Sequence, residues 1–232
     1  MAGYNQIPGY ILHRRSYRES SLIIDAFTQY HGRIALLAKG GRKNKRHNTI
    51  LQPFRLIQFS WVGRSEIKTM VSAESILPLV SLSGKLLFCG LYLNELLMTL
   101  LGKDDEHDTI FLLYEATLAA LAGGSSIEKC LRLFEISLLN EVGYGLELDY
   151  EADSGKTICP EKRYYYQVDK GPVESLANTN TVQGATLIGL RQQQLDDECT
   201  LREAKSLMRK VIDYHLGGKP LNSRQLFQSK TK

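Results

Sequence analysis

The sequence predicts an α+β fold in which an N-terminal five-stranded β-barrel is followed by an α-helical domain with a small irregular insertion. Two patterns indicate this: apolar and polar residues alternate through roughly the first 75 positions, and apolar residues recur at helical spacing from position 84 onward. The length agrees, because 232 residues, 43% apolar and 23% charged, suffice for one large or two small domains. We assign residues 1–79 to the barrel, residues 80–232 to the helical domain, and residues 147–183 to the insertion.

The barrel strands are predicted from short alternating segments that turn residues separate. These segments are residues 10–15, 22–27, 34–38, 57–61 and 67–73. In the fourth segment Ile57, Phe59 and Trp61 share one face, so we expect them in the barrel core. Five short strands with a half-polar face are typical of the oligonucleotide-binding (OB) barrel, and an SH3-like barrel would give a similar pattern. The residues alone leave both barrels open.

Helical spacing of apolar residues predicts the elements of the second domain. The expected helices are residues 84–101, 106–121, 126–142, 185–194 and 200–216. Ser125 and Glu128 have the spacing of a capping box, and so have Thr200 and Glu203. Gly143 stands where a C-terminal helix cap is expected.

Positive charge is concentrated in the predicted barrel. Residues 1–80 contain 12 Lys and Arg against 4 Asp and Glu, whereas the remaining residues contain 17 against 21. The densest segment, residues 39–47, has no acidic residue and five permanent cations: Lys39, Arg42, Lys43, Lys45 and Arg46. Crowded like charges repel one another, and they bind phosphates by releasing counterions. We predict that this loop contacts nucleic acid; a solvated loop without a partner is the alternative.

Further cations extend this charge over the same domain. The predicted extensions of the surface are Arg33, Arg64 and Lys68, and an N-terminal cluster comprises Arg14, Arg15 and Arg18. Single-strand binding commonly combines a basic groove with aromatic stacking platforms. The aromatic residues near predicted turns, which are the better stacking candidates, are Tyr17, Tyr30 and Phe54.

One cation lies beside the apolar stripe of the helix predicted over residues 126–142. Arg132 stands next to Leu131 and close to Phe134. A cation bordered by apolar residues can bind an acidic peptide with an apolar end, the carboxylate on the arginine. The competing interpretation, which the residues alone favour, is an ion pair with Glu128 or Glu135 at helical spacing.

The sequence contains no recognisable catalytic or metal-binding constellation. The four cysteines are far apart and unpaired in spacing: Cys89, Cys130, Cys159 and Cys199. The segment 153–157 imitates the end of a phosphate-binding loop, but Tyr150 stands where the first glycine is required. We therefore expect no enzymatic activity, no cofactor and no metal.

The most apolar stretch argues against a membrane span. It runs from Leu86 to Leu101, is interrupted by Glu95, and is shorter than the ~18 residues that a span needs. The N-terminus lacks a long apolar signal segment. We expect a cytoplasmic protein.

Several motifs, in order and nearly end to end, resemble the bacterial RecO family of recombination mediators and DNA-repair proteins. They are residues 19–22 (ESSL), 32–33 (GR), 37–40 (LAKG), 51–54 (LQPF), 66–69 (EIKT), 90–97 (GLYLNELL), 131–135 (LRLFE), 143–145 (GYG), 216–221 (LGGKPL) and 223–224 (SR). The resemblance implies an OB barrel and a helical domain, often with a zinc-finger-like insertion. Only Cys159 lies in that insertion here, so we expect it to fold without zinc.

The resemblance also implies a function and partners. It implies a non-enzymatic protein that binds single- and double-stranded DNA, anneals complementary strands, and helps RecA replace single-stranded-DNA-binding protein. RecR is an implied partner, with RecF in some pathways. DNA contact would map onto the cationic loop, and Arg132 matches the arginine that recognises the acidic C-terminal tail of single-stranded-DNA-binding protein in some members. The alternative is a protein–protein adaptor that works through the helical domain, with DNA binding incidental.

Overall fold

The computed structural model describes residues 3–43, 45–76, 79–177 and 179–227. The side chain of Arg46, a predicted DNA contact, lies outside this description. The chain forms two compact units, which divide between Gly123 and Gly124 and again between Pro220 and Leu221. The first unit contains β1 (Gly3–Tyr17), β2 (Ser21–Thr28), β3 (Gly32–Ala38), α1 (Lys45–Ile50), β4 (Leu56–Val62), β5 (Ile67–Ser75), α2 (Gly84–Leu100), α3 (Asp108–Ala122) and α7 (Ser223–Leu226). The second contains α4 (Ile127–Glu141), β6 (Arg163–Gln167), β7 (Gly171–Glu174), β8 (Val182–Gln183), α5 (Gly184–Gln192) and α6 (Glu198–His215).

The first five strands close into a barrel in the order β1-β2-β3-β5-β4. Strand β1 is long enough to pair twice, with β4 along its first half and with β2 along its second half. Strands β3 and β5 run parallel, whereas the other neighbours are antiparallel. This confirms the predicted five-stranded barrel, and the order is that of the OB fold rather than of an SH3-like barrel.

The barrel interior is a continuous apolar core. Ile57, Phe59 and Trp61 lie in it as predicted, and none is more than 1% exposed. Strand β2 is buried on its outer side as well, because Phe27 packs on Phe111 of α3 with ring centroids 5.6 Å apart. That outer side of the barrel is therefore covered by protein and not available to a ligand.

Helices α2 and α3 join the barrel through buried polar contacts. A bulge in β1 leaves the carbonyl of Leu12 to accept a hydrogen bond from Asn94 Nδ2 of α2 at 2.9 Å. The side-chain oxygen of Asn94 accepts in turn from Tyr114 of α3 at 2.6 Å. Both helices belong to the same compact unit as the barrel. From the sequence we place the boundary between the barrel and the helical domain between residues 79 and 80.

Glu95, which interrupts the apolar stretch of α2, holds the start of α7. Its carboxylate accepts hydrogen bonds from the backbone N–H groups of Asn222 and Ser223, both at 2.8 Å. A carboxylate there satisfies N–H groups that a helix start leaves without partners. None of the described helices is long and apolar enough to cross a membrane.

In the second unit a small sheet packs beside three helices. Its strand order is β7-β6-β8, and it occupies part of the region predicted as an irregular insertion. Buried Tyr164 of β6 anchors the preceding loop, since its hydroxyl accepts from Cys159 N at 2.9 Å and donates to Glu151. The alternation of β6 turns Tyr164 and Tyr166 inward and Tyr165 outward.

Both predicted capping boxes are wrong in register. Helix α4 is capped by Ser126, and α6 is capped by Asp197, which accepts from Thr200 N at 2.9 Å. The two glutamates of the expected boxes have other partners: Glu128 pairs with Lys205 at 2.7 Å, and Glu203 accepts from Gln183 N at 2.8 Å. The C-terminal cap at Gly143 is confirmed, with a φ of +79°.

A histidine at the end of α6 predicts a pH dependence of stability. His215 stacks on Tyr144 with ring centroids 4.2 Å apart, and its burial lowers the pKa of His215 despite the opposing charge of Asp169. The folded state thus binds fewer protons than the unfolded state once the pH falls below about 6.5, so stability decreases there. We expect the free energy of unfolding to fall between about pH 7.5 and 5.5 in urea titrations, and His215→Asn to flatten that slope. An unchanged slope would contradict this assignment.

Candidate nucleic-acid interface

The connection between β3 and β4 carries the cationic loop predicted from sequence. It leaves β3 through a turn in which Gly40 has a φ of +68°, and then forms the short helix α1. Leu51, which follows α1, is fully buried in the barrel core and anchors this connection. Its four described cations are exposed, and within the described residues they form no ion pair: Lys39, Arg42, Lys43 and Lys45. We name them the loop cations.

The loop is fixed against the turn between β1 and β2. The backbone N–H of Arg42 donates to Ser20 O at 2.9 Å, and the Arg42 guanidinium reaches the carbonyls of Arg18 and Glu19 at 3.4 Å. Arg14 donates to the carbonyl of Leu51 at 2.8 Å. These contacts bring two charge clusters, separate in sequence, to one end of the barrel.

This barrel end is strongly electropositive and also carries an aromatic ring. Arg15 and Arg18 are exposed there, and the Arg18 guanidinium lies 5.2 Å from the centre of the Tyr17 ring. Glu19 is the acidic residue of the intervening turn, and it is exposed. Six exposed cations against one carboxylate attract a polyanion, and the attraction weakens as salt screens it.

Two predicted extensions, Arg33 and Lys68, are engaged inside the first unit. Lys68 is 8% exposed and its ammonium contacts Asp104 at 2.5 Å. Arg33 donates to the carbonyl of Met98 at 2.5 Å, and burial lowers its pKa despite the charge of Asp25. Because these charges are used within the protein, we leave both residues out of the surface that we propose below.

The third extension, Arg64, is exposed but lies near the other end of β1. It belongs to the hairpin between β4 and β5, and Val62 at the start of that hairpin pairs with Gly3. The loop cations lie by contrast beside Tyr17, at the opposite end of the strand. A strand advances about 3.3 Å per residue, so 14 residues separate the two regions widely.

Two of the three aromatic stacking candidates are exposed or partly exposed, and the third is buried. Tyr30 is 49% exposed and Tyr17 is partly exposed, so both present ring surface. Phe54 is the wrong candidate: it is 5% exposed, with a φ of +63°, and its ring lies against Gly90 of α2. A positive φ at a non-glycine residue is uncommon, and although Pro53 marks a turn here, that signal does not show that the ring of Phe54 is buried.

The predicted partner-binding residues of α4 are buried. Leu131 is 6% exposed, Phe134 is fully buried, and Arg132 is 3% exposed. Arg132 Nη2 contacts Glu135 Oε1 at 2.5 Å, which is the ion pair that the sequence offered as the alternative. The other guanidinium nitrogens, Nε and Nη1, are buried and have no hydrogen-bond partner within the described residues. Arg132 therefore keeps two buried donor nitrogens whose hydrogen-bonding capacity is unsatisfied.

The insertion does not provide the donors of a zinc centre. Cys159 is its single cysteine, and its thiol donates to Glu161 at 3.0 Å. Across the described ranges, no group of three or more metal-ligating side chains comes together. These donors do not fit the zinc-finger-like insertion that the resemblance to the family implied, and we derive no role from that metal.

An OB barrel with a cationic end, followed by a helical unit, defines the class of OB-fold proteins with an appended helical domain. The family model described as recombination protein O N terminal matches residues 1–79, and the one described as recombination protein O C terminal matches residues 82–225. The chain therefore belongs to the recombination protein O family, which confirms the resemblance noted in the sequence.

Individual relatives agree over nearly their whole lengths. DNA repair protein RecO of Methylococcus capsulatus is 47% identical over 95% of this chain and 91% of the relative. The corresponding protein of Nitrosococcus oceani is 41% identical over 95% of this chain and 92% of its own length. That of Serratia proteamaculans is 42% identical over 94% of this chain and 91% of its own length.

Proposed function

We propose that this protein is a DNA-binding recombination mediator that anneals complementary single strands and helps load RecA onto strands coated with single-stranded-DNA-binding protein. Membership of the family supports a role in recombinational DNA repair. The single observation that carries the DNA-binding step is the barrel end, where exposed loop cations without ion pairs adjoin Arg15 and Arg18. We propose residues 1–79 as the DNA-binding domain, with both single and double strands as ligands.

The proposed annealing mechanism is electrostatic. Two single strands repel each other through their phosphates, and cations that neutralise those phosphates lower the repulsion. Tyr17 at the barrel end offers a ring on which unpaired bases can stack without sequence preference, and Tyr30 offers another in the turn between β2 and β3, at the opposite end of β2. No covalent step is needed, which agrees with the expectation that the protein is not an enzyme.

We place recognition of the acidic tail of single-stranded-DNA-binding protein at Arg132. The support is the pair of buried guanidinium nitrogens without hydrogen-bond partners, because leaving such donors unsatisfied is costly and a carboxylate removes that cost. Since Leu131 and Phe134 are buried, tail binding requires the surface of α4 to open locally. We also propose RecR as a partner, RecF in some pathways, and the cytoplasmic nucleoid as the place of action.

Annealing of complementary labelled oligonucleotides, bare and coated with single-stranded-DNA-binding protein, tests this function. We use the double variant Arg132→Met with Glu135→Leu, which removes the guanidinium without leaving a buried charge. Wild type is expected to anneal both substrates, and the double variant to anneal bare strands only, with the coated reaction slowed at least about tenfold. If wild type anneals neither substrate, the adaptor function replaces the mediator function.

A further inference from the structure

A groove in the second unit lies between the small sheet and α6. Its volume is about 510 Å³, within the range of roughly 300–1,000 Å³ that is usual for small-ligand sites. Tyr165 of β6 lines one side, and Arg202, Ser206 and Lys210 line the side formed by α6. We infer that this groove binds a nucleotide unit of single-stranded DNA, its base on Tyr165 and the phosphates on its two sides at Arg202 and Lys210. This inference rests on the proposed function and adds a second DNA contact, on the helical unit.

The charges of the groove favour an anion. Glu203, the acidic residue that lines it, is already neutralised: its carboxylate accepts from Arg163 Nη2 at 2.9 Å, from Thr186 Oγ1 at 2.8 Å and from Gln183 N at 2.8 Å. Arg202 and Lys210, in contrast, form no ion pair within the described ranges. Their hydrogen bonds go to backbone carbonyls. Two cations therefore remain for the phosphates of a strand.

The aromatic side of the groove suits a base. Tyr165 is 42% exposed because the alternation of β6 turns it away from the sheet's packed face. Lys210 Nζ lies over the ring, 4.2 Å from its centre, and donates to Tyr166 O at 2.7 Å, which fixes a cation on one face of that ring. An aromatic ring next to a cation is the arrangement by which proteins bind unpaired nucleotides irrespective of sequence.

Apart from Val182 and Leu207, which are buried, the remaining lining is polar and favours a nucleotide over an acidic peptide with an apolar end. Asn180 and Ser206 give the groove an amide and a hydroxyl group that can bond the edge of a base or a sugar. The hydroxyl of Thr181, in contrast, already bonds Arg163 and Ala177. An apolar peptide end would need an apolar pocket instead. We therefore choose the single strand as the occupant, and peptide binding becomes an outcome of the test.

Photo-crosslinking locates the contact directly. The full-length protein is irradiated with an oligonucleotide of about 20 nucleotides that carries 5-iodouracil, and crosslinked peptides are identified by mass spectrometry. We expect a crosslink within residues 163–167, and we expect it to persist in a large excess of free thymidine monophosphate. If excess thymidine monophosphate abolished the crosslink to the oligonucleotide, the groove would be reassigned to free nucleotides. Crosslinks confined to the barrel would overturn the inference and leave the proposed function intact.

Affinity measurements by fluorescence anisotropy give a second, independent readout. Tyr165→Ala is expected to weaken the binding of an oligo-dT whose bases carry no label about tenfold. Tyr165→Phe keeps the ring, and its affinity is expected to stay within about twofold of the wild-type affinity. Arg202→Ala is expected to reduce the log–log salt slope by about one. Tyr150→Ala is the matched control, because Tyr150 is a 55% exposed tyrosine of the same unit that does not line the groove. Equal affinities of the Tyr165→Ala and Tyr150→Ala variants would overturn the inference, as would tighter binding of an acidic peptide than of oligo-dT to the groove.

Discussion

Replacing the four loop cations Lys39, Arg42, Lys43 and Lys45 together by alanine is expected to lower the affinity for single-stranded DNA about a hundredfold near 0.1 M salt. Each cation that neutralises a phosphate releases about 0.7 counterion from a single strand. The slope of log affinity against log salt should therefore decrease in magnitude by about 3. These side chains are exposed and form no ion pair within the described residues, and the Arg42 side chain makes only two exposed hydrogen bonds of 3.4 Å, so the substitution should change the unfolding transition little.

The control for this variant carries the same loss of charge elsewhere on the chain. Its substituted residues are exposed lysines outside the barrel end: Lys85, Lys156, Lys170 and Lys219. A general effect of net charge would weaken binding in both variants alike, whereas local contact predicts a large loss only in the loop variant. An unchanged salt slope in the loop variant would remove the barrel end as the DNA-binding surface.

Removing Glu135 is expected to destabilise the protein by about 3–5 kcal/mol, the largest stability effect that we predict. Glu135 is 1% exposed and its partner Arg132 is 3% exposed, so Glu135→Ala leaves a positive charge buried without its counter-ion. The two guanidinium nitrogens that already lack hydrogen-bond partners make that charge harder to accommodate. Urea unfolding at neutral pH measures the loss.

Two further variants separate charge from packing. Arg132→Met with Glu135→Leu removes both charges and keeps side-chain volume, so it should recover most of the stability that Glu135→Ala loses. Glu128→Gln breaks a more exposed ion pair on the same helix and is expected to lower stability by about 1 kcal/mol or less. If Glu135→Ala lowered stability no more than Glu128→Gln, the ion pair of Arg132 with Glu135 would not contribute the stability that we expect from its burial.

Local patterns predicted the barrel and the helices, because the apolar periodicity of a strand or helix depends only on residues that are close in sequence. The five alternating segments correspond to β1–β5, and Gly143 ends α4 as its position indicated. The capping register of α4 was wrong because Ser125 and Ser126 are adjacent and spacing alone does not choose between them, and that of α6 was wrong because Asp197, an equally good cap, precedes Thr200 by three residues. Glu128 pairs instead with Lys205, which lies 77 residues away in the sequence and which local spacing does not indicate.

The site could be predicted only where its contacts are local. The loop cations are visible as a run of charge, and they are exposed as expected. That Lys68 is neutralised by Asp104, 36 residues further along, follows only from the fold. The same holds for the meeting of the loop with the turn at Arg18, and for the groove that places Tyr165 beside Lys210.

The most direct test of the central claim, that the barrel end brings single strands together, is the annealing rate of bare complementary oligonucleotides. We compare three proteins at two salt concentrations: the wild type, the loop-cation variant and the control in which four other lysines are replaced. We expect the wild type and control to accelerate annealing at low salt and less so at high salt, and the loop-cation variant to approach the uncatalysed rate at both. Annealing by the loop-cation variant at the wild-type rate would contradict the claim.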